Sequence, residues 1–300
     1  MKDLLALVSD SMFIALQVKH KLAPSIRPID VTPRSARRVQ HTRTWFMTLL
    51  VSICCLGAMD SIAQSTQQDS TKKESEKKTH FLIEPYFLAP TMKGEIGIRN
   101  LPNITVDANP GDIFDQLKFA AMAYVEVDYD HKFAITTDFI FMRLESDVKP
   151  NTLVSSGTNT TKQLVFEIAG LIRLAPWFEV GAGSRVLDMK AELDLNTTNG
   201  HREESSRKTW MNPILVVRSQ GVIRDRWLLQ FRGDIGGFGL GSDFAWQIQA
   251  NAGYQFSKLF RATIGYRVLD EDYKKGDGEE RFLYDIATSG PVLRIGFTFQ

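Results

Sequence analysis

Three hundred residues with 36 basic and 35 acidic side chains carry a formal net charge of +1, and 43% of them are hydrophobic. Such a balance excludes a global field for nucleic acid or for an acidic substrate. No apolar run reaches the roughly 18–20 residues of a spanning helix, which excludes a helical membrane protein but not a barrel, whose strands dilute their apolar content by alternation.

The single long apolar run, Trp45 to Met59, follows Arg34, Arg37, Arg38 and Arg43 and precedes Ser61-Ile-Ala63, which has small residues at the two cleavage-determining positions. The alternative reading is a short buried helix. The favoured pattern makes residues 1–63 an N-terminal extension and signal peptide cut after Ala63, and initiation nearer Val39 would account for the awkward residues 1–33. Cys54 and Cys55 both lie in this segment. A cut chain would hold no cysteine, so neither a disulfide nor a thiolate metal site is expected, and no cofactor or metal is inferred. Residues 64–79 are polar and charged and read as a disordered periplasmic leader.

From His80 to Gln300 the texture becomes alternation broken by turns. Ten strands are expected, over 80–98, 117–130, 132–146, 162–174, 177–193, 209–221, 225–235, 243–256, 259–269 and 286–299. Tight links (130–131, 175–176, 223–225, 257–258) alternate with long ones (99–116, 147–161, 194–208, 236–242, 270–285). That alternation, with tight turns at the periplasm and long loops outside, predicts an all-β antiparallel transmembrane β-barrel with ten strands, eight or twelve being the alternatives. Pro85 and Pro213 remove ladder donors inside two of these strands, so a bulge or a strand start is expected at each.

The strand faces support a wall between lipid and a polar lumen. In 117–130, Phe119, Ala121, Ala123, Val125, Val127 and Tyr129 oppose Lys118, Met122, Tyr124, Glu126 and Asp128. In 243–256, Gln247, Gln249 and Asn251 share the polar face, which suits a wetted lumen. The outward residues nearest the tight turns are Tyr129, Phe133, Phe178, Trp227, Tyr254, Phe256, Phe260 and Phe299, a girdle at the inner interface.

Inward positions carry Glu84, Glu126, Asp138, Glu167, Glu179 and Asp234 against Arg173, Arg185, Arg218, Arg232, Arg261, Arg267 and Arg294. Confinement predicts that these charges pair into a network that fills the lumen. In particular, Arg218, Arg232, Arg267 and Arg294 should meet carboxylates that include Asp234 and Glu126. The other reading is a charged wall that selects solutes in an open pore.

The glycine-rich 234–243 segment lacks the Lys-Ser/Thr ending of a phosphate loop and reads as a tight reversal passing close to other elements. No nucleophile elbow is present. His201 with Asp194, Glu203 and Glu204 lies in a long outer loop, where an omptin-like hydrolase, also ten-stranded, keeps its acids and histidine; a solvated charged loop is the favoured reading, and no catalytic residue is assigned. Pro110 to Leu117 suggests one helical turn capped by Asp112.

The segments Asp112-Ile-Phe-Asp-Gln-Leu117, Trp210-Met-Asn-Pro213, Arg232 to Asp243, Gly265-Tyr-Arg-Val-Leu-Asp270 and Tyr284 to Pro291 resemble a family of bacterial outer-membrane β-barrel proteins, small porin-like barrels without an established activity. The resemblance covers roughly residues 80–299 and implies an outer-membrane barrel and no catalytic residues. Such barrels usually end in an aromatic read by the assembly machinery, whereas here Gln300 follows Phe299. The expected partners are outer-membrane lipid and, through the C-terminal strand, that barrel-assembly machinery, with no nucleic acid. The expected role is a structural barrel or narrow diffusion channel, the alternatives being a surface-loop adhesin and, after it, the hydrolase.

Overall fold

The computed structural model describes residues 79–100, 102–148, 150, 154–197 and 200–299. The N-terminal extension, the signal peptide and all but the last residue of the expected leader lie outside them. In chain order the elements are β1 (Thr79–Leu88), β2 (Thr91–Ile98), β3 (Ile104–Ala108), α1 (Pro110–Gln116), β4 (Leu117–Tyr129), β5 (Phe133–Asp147), β6 (Val154–Ala175), β7 (Phe178–Thr197), β8 (Gly200–Ile223), β9 (Trp227–Gly236), β10 (Phe244–Gln255), β11 (Phe260–Lys275) and β12 (Phe282–Phe299). Strand β1 and strands β4 to β12 pair in sequence, each antiparallel to the next, and β12 closes on β1. The fold is therefore the all-β, ten-stranded closed barrel expected from the alternation, with β2 and β3 added.

The additions come from one bend. The expected strand 80–98 breaks at Ala89-Pro90 into β1 and β2, both of which pair with β12. Pairing of β1 with β4 stops at Pro85↔Ala123, while β2 turns into a hairpin with β3. The segment read as the loop 99–116 thus holds a strand and a helical turn. Asn109, not Asp112, is the N-cap. Its side chain accepts from the Asp112 amide at 3.2 Å, and Asp112 accepts in return from the Asn109 amide at 3.0 Å, a capping box. Helix α1 puts Ile113 into the barrel's apolar interior and Phe114 against the outward ring of Phe87, with centroids 5.5 Å apart, so it stands where β1 and β4 have parted.

Neither expected proline bulge forms. The β1–β12 ladder skips Glu84 and Pro85 and resumes at Tyr86↔Arg294 without a change of register. Pro213 pairs in register with Ser184, and β9 joins one residue later, at Ile214↔Gly236. In both cases the missing donor falls where a neighbouring ladder breaks or has not begun. In the three-residue links 130–132 and 224–226 the first two residues are left-handed: Asp130 and His131 have φ of 54° and 51°, Arg224 and Asp225 of 51° and 63°. That backbone matches the twist of a tight antiparallel hairpin.

Strands β6, β7 and β8 run for 22, 20 and 24 residues, against 10 for β9 and 12 for β10. Crossing a bilayer takes about 9–11 residues, so roughly half of each long strand stands beyond the wall. The segments read as loops 147–161 and 194–208 are mostly these strand extensions, and 270–285 is largely the end of β11 and the start of β12.

Outward positions along the wall are exposed and apolar, among them Ile83, Ile135, Ile168, Leu215, Leu229, Ile264, Leu293 and Ile295. Near the short-turn end the rings of Trp227, Tyr254, Phe256, Phe260 and Phe297 form a run with centroids 5.3, 5.1, 5.3 and 5.9 Å apart. Tyr129, Phe133 and Phe299 are also exposed there, and Phe178 lies 5.5 Å from Trp177. Among the described residues no helix is long and apolar enough to cross a membrane. An apolar outer wall and a polar-lined interior with every interior strand paired are the outer-membrane barrel solution, in which lipid meets no unsatisfied backbone.

Candidate functional site

The interior is filled in two layers. Toward the short-turn end the inward positions carry the charges, interrupted by a small apolar cluster of Ala134, Ala169, Leu171, Ile214 and Val216. Toward the rim the same strand faces turn apolar: Asp138 gives way to Ile140, Met142 and Leu144 on β5, Glu167 to Val165 on β6, and Arg185 to Leu187 on β7. The period of two is unbroken; only the chemistry changes with height.

The charged layer consists of four groups. Arg218 of β8 grips Glu126 with Nη1 at 2.5 Å and Nη2 at 2.9 Å and donates through Nε to Glu179. Tyr124 donates to Glu126 at 2.7 Å and accepts from Arg218 at 2.9 Å. On the far side of Glu179, Arg173 bridges to Asp128, with Nη2 at 2.7 and 2.8 Å from the two acids. In the second group Arg185 donates to Glu167 at 2.6 and 3.0 Å and to Asp234 at 2.7 Å, while Arg232 also donates to Glu167. In the third, Arg267 donates to Asp138 at 2.8 Å and to Gln247 at 2.9 Å, and Tyr86 donates to Asp138 at 2.6 Å. In the fourth, Glu84 takes Arg261 at 2.8 Å and Arg294 at 3.4 Å, and the Arg294 guanidinium lies over the rings of Tyr86 and Tyr124 at 5.1 and 4.9 Å.

All thirteen charges named from the sequence therefore lie in these groups. Asp234 meets Arg185 at 2.7 Å, with Arg232 only at 3.8 Å, and Arg267 meets Asp138. Side-chain exposure falls to 0% for Arg185 and Asp234 and to 1% for Arg218 and Glu167. The Gln and Asn row expected to be wet is buried: Gln247 and Gln249 are almost fully covered, and Gln249 donates to Asn251, which donates to Gln230, each at 3.0 Å.

Three buried acids, Asp128, Asp188 and Glu271, lie outside the thirteen. Glu271 accepts from Asn212 at 2.7 Å and from Ser242 at 2.9 Å and lies 3.7 Å from Arg185. It continues the inward series Arg267, Leu269, Glu271, Tyr273, a period that runs straight through what looked like a charged loop. The Ser242 contact shows how the glycine-rich reversal docks. A Cβ on Gly241 would stand 2.1 Å from the Met211 carbonyl, so only glycine lets the loop reach Asn212.

On β8, β11 and β12 the rim layer is aromatic. Trp210 of β8 stacks on Tyr273 of β11 with centroids 4.6 Å apart and planes at 15°, with Tyr284 at 5.4 Å and Phe282 at 6.3 Å. This contact joins strands on either side of the short β9–β10 hairpin and roofs the charged layer.

On the extension, His201 sits between acids, Nδ1 3.3 Å from Asp194 and Nε2 3.1 Å from Glu203. Glu204 alternates to the other face of β8. The hydrogen bond to Glu203, then the charge of Asp194, raises the His201 pKa above its ordinary value. The three ligand atoms lie within 4.8 Å of one another, a spacing a divalent cation could use if the ring turned. As placed, both ring nitrogens face carboxylates, the arrangement of a protonated imidazole clamping a hairpin. His80 and His131 stack at the short-turn end, 4.7 Å apart.

No protein-family model matches the chain, and no curated protein matches it. Solved structures similar to it are bacterial outer-membrane barrels. The outer membrane protease OmpT from Escherichia coli is 9% identical over 76% of this chain and 99% of that one, with a TM-score of 0.45. The translocator domain of the autotransporter NalP from Neisseria meningitidis is 9% identical over 76% and 90%, with a TM-score of 0.42. Ail, the attachment invasion locus protein of Yersinia pestis, is 10% identical over 75% and 100%, with a TM-score of 0.32.

Proposed function

We propose that this barrel is a closed anchor of the bacterial outer membrane whose working surface is the sheet of long strands beyond the bilayer, a surface-interaction protein rather than a diffusion channel or an enzyme. The observation that supports this reading is the pairing of the buried lumen charges, Arg185 and Arg218 above all, beneath an aromatic roof. A conducting pore keeps its wall charges hydrated, and here they are spent on one another. On this reading the chain is exported through a signal peptide cut after Ala63, and its C-terminal strand is taken up by the barrel-assembly machinery of a Gram-negative cell. The long strands then face outward, and no catalytic step is involved.

Conductance of the purified protein in planar bilayers tests the proposal. A closed anchor gives no steady single-channel current. Regular conductance steps whose ion selectivity shifts in Arg267→Ala would overturn it in favour of the narrow channel.

A further inference from the structure

Strand β8 has a partner on only one side for half its length. Its ladder with β7 runs from Gly200 to Ser219, yet β9 joins only at Ile214. Near the wall the open edge is covered, by the Ser242 amide donating to Asn212 at 2.7 Å and by the stacked Trp210. Beyond it, every residue from Gly200 to Thr209 is exposed. An unpaired strand edge is a template for another strand, and charges usually blunt it.

Here the charges are sorted. The stretch reads Gly-His-Arg-Glu-Glu-Ser-Ser-Arg-Lys-Thr, with Glu203 and Glu204 before the two serines and Arg207 and Lys208 after them. Such a strand complements a reversed copy of itself. We propose that the β8 edge pairs with β8 of a second copy, antiparallel about a two-fold axis through Ser206, and so joins barrels in two facing membranes; the idea rests on the surface-interaction reading and deepens it.

The register follows from the charges. With the axis at Ser206 and normal to the sheet, Glu204 faces Lys208 of the copy on both sides of the axis, Ser205 faces Arg207, and Glu203 faces Thr209. No like charges are opposed. Moving the axis to Ser205 sets Arg202 against Lys208, and a parallel in-register pairing sets each glutamate beside its own copy; both are penalised. The basic half is already held in place, Arg207 by Asp188 at 2.7 Å and Lys208 over the Phe282 ring at 5.7 Å. Two barrels in one membrane run their β8 strands the same way, so an antiparallel pair demands opposed membranes. A short edge with two ion pairs binds weakly alone, but membranes carrying many copies gain by multivalency.

The test uses the purified full chain in phosphatidylcholine vesicles, with clustering followed by light scattering. Wild-type vesicles should cluster, and less so as salt is raised. Vesicles carrying Glu204→Lys alone or Lys208→Glu alone should lose most of their clustering, because each variant opposes like charges at both pairs. Mixing the two populations should restore it, as should the double variant E204K/K208E. The proposal is overturned if wild-type vesicles stay dispersed, if the single variants cluster as wild type does, or if the mixture does not recover. Conductance in planar bilayers is independent of all these outcomes, so a failed pairing and a failed closed-lumen reading remain distinguishable.

Discussion

The charged and the aromatic layers of the lumen lie on the same inward strand faces at different heights, and they close the barrel by different physics. In the charged layer each side chain is held by named partners, such as Arg185 by Glu167 and Asp234, so removing one strands another in a place with little water. In the aromatic layer Trp210, Tyr273, Tyr284 and Phe282 share non-directional packing, and a lost atom leaves a void that its neighbours can partly fill. The contrast teaches that the first layer should be brittle toward chemistry and the second toward volume.

The largest expected effect comes from Arg185→Ala. It leaves Glu167 and Asp234 short of a buried counter-charge and should destabilise the barrel by about 3–5 kcal/mol. Arg185→Lys should recover little, since an ammonium cannot reproduce the two-acid grip of the guanidinium. Denaturant unfolding in detergent, followed by heat-modifiable migration on gels, measures both. Equal stability of R185A and wild type would end the distinction between the layers.

Next comes Trp210→Ala, at about 3 kcal/mol, the low end for a buried aromatic because the roof lies nearest the rim and can relax. Here the conservative change should succeed where it fails for Arg185: Trp210→Phe keeps much of the area and should cost about half as much. If W210F were as damaging as W210A, the roof would depend on something other than volume. The Tyr273 ring, whose pairing with Trp210 spans the β9–β10 gap, would be the first place to look.

A third substitution fixes the zero of the scale. Leu215 points outward on β8 and is 53% exposed. Leu215→Ile keeps the apolar volume presented to lipid and should cost under about 1 kcal/mol in the same unfolding assay. A larger loss would place that position in a protein contact rather than in lipid.

How much of this was legible depended on which physics spoke at each residue. Where a strand separates lipid from lumen the two faces differ, so the alternation in 117–130 or 243–256 announces itself. Beyond the membrane the extensions of β6, β7 and β8 are polar on both faces, the alternation disappears, and backbone pairing alone carries the strand; 194–208 therefore looked like a loop. Glu271 was missed for the same reason, buried in sequence among Asp270, Asp272 and Lys274, where only its phase with Arg267 marked it as inward. The lumen charges could be named from periodicity, because side-chain direction is local. Their partners could not: Arg218 meets Glu126 ninety-two positions away, a pairing set by closure of the barrel. The aromatic roof was hidden because inward was read as polar, and the β2–β3 hairpin by the proline bend at Ala89-Pro90, whereas the helical turn of α1 was legible in Pro110 to Leu117.

The smallest expected effect lies outside both layers, in the His201 clamp on the β7–β8 hairpin. Its folded pKa is raised, so the clamp's contribution is fully present below the unfolded value of about 6.5 and is lost as pH rises through the higher folded value. The hairpin should therefore hold more tightly in mild acid than at alkaline pH, the reverse of what a carboxylate-dominated contact would give. Following the His201 ring protons by NMR in detergent should place its midpoint above 6.5. In Glu203→Gln the midpoint should fall, since the bond to Glu203 is the main cause of the shift, while Asp194 keeps it from returning fully. Barrel unfolding should not change, because His201 touches neither layer. An E203Q midpoint equal to wild type would mean that the imidazole is not held as placed, and a change in barrel stability would mean that extension and lumen are coupled.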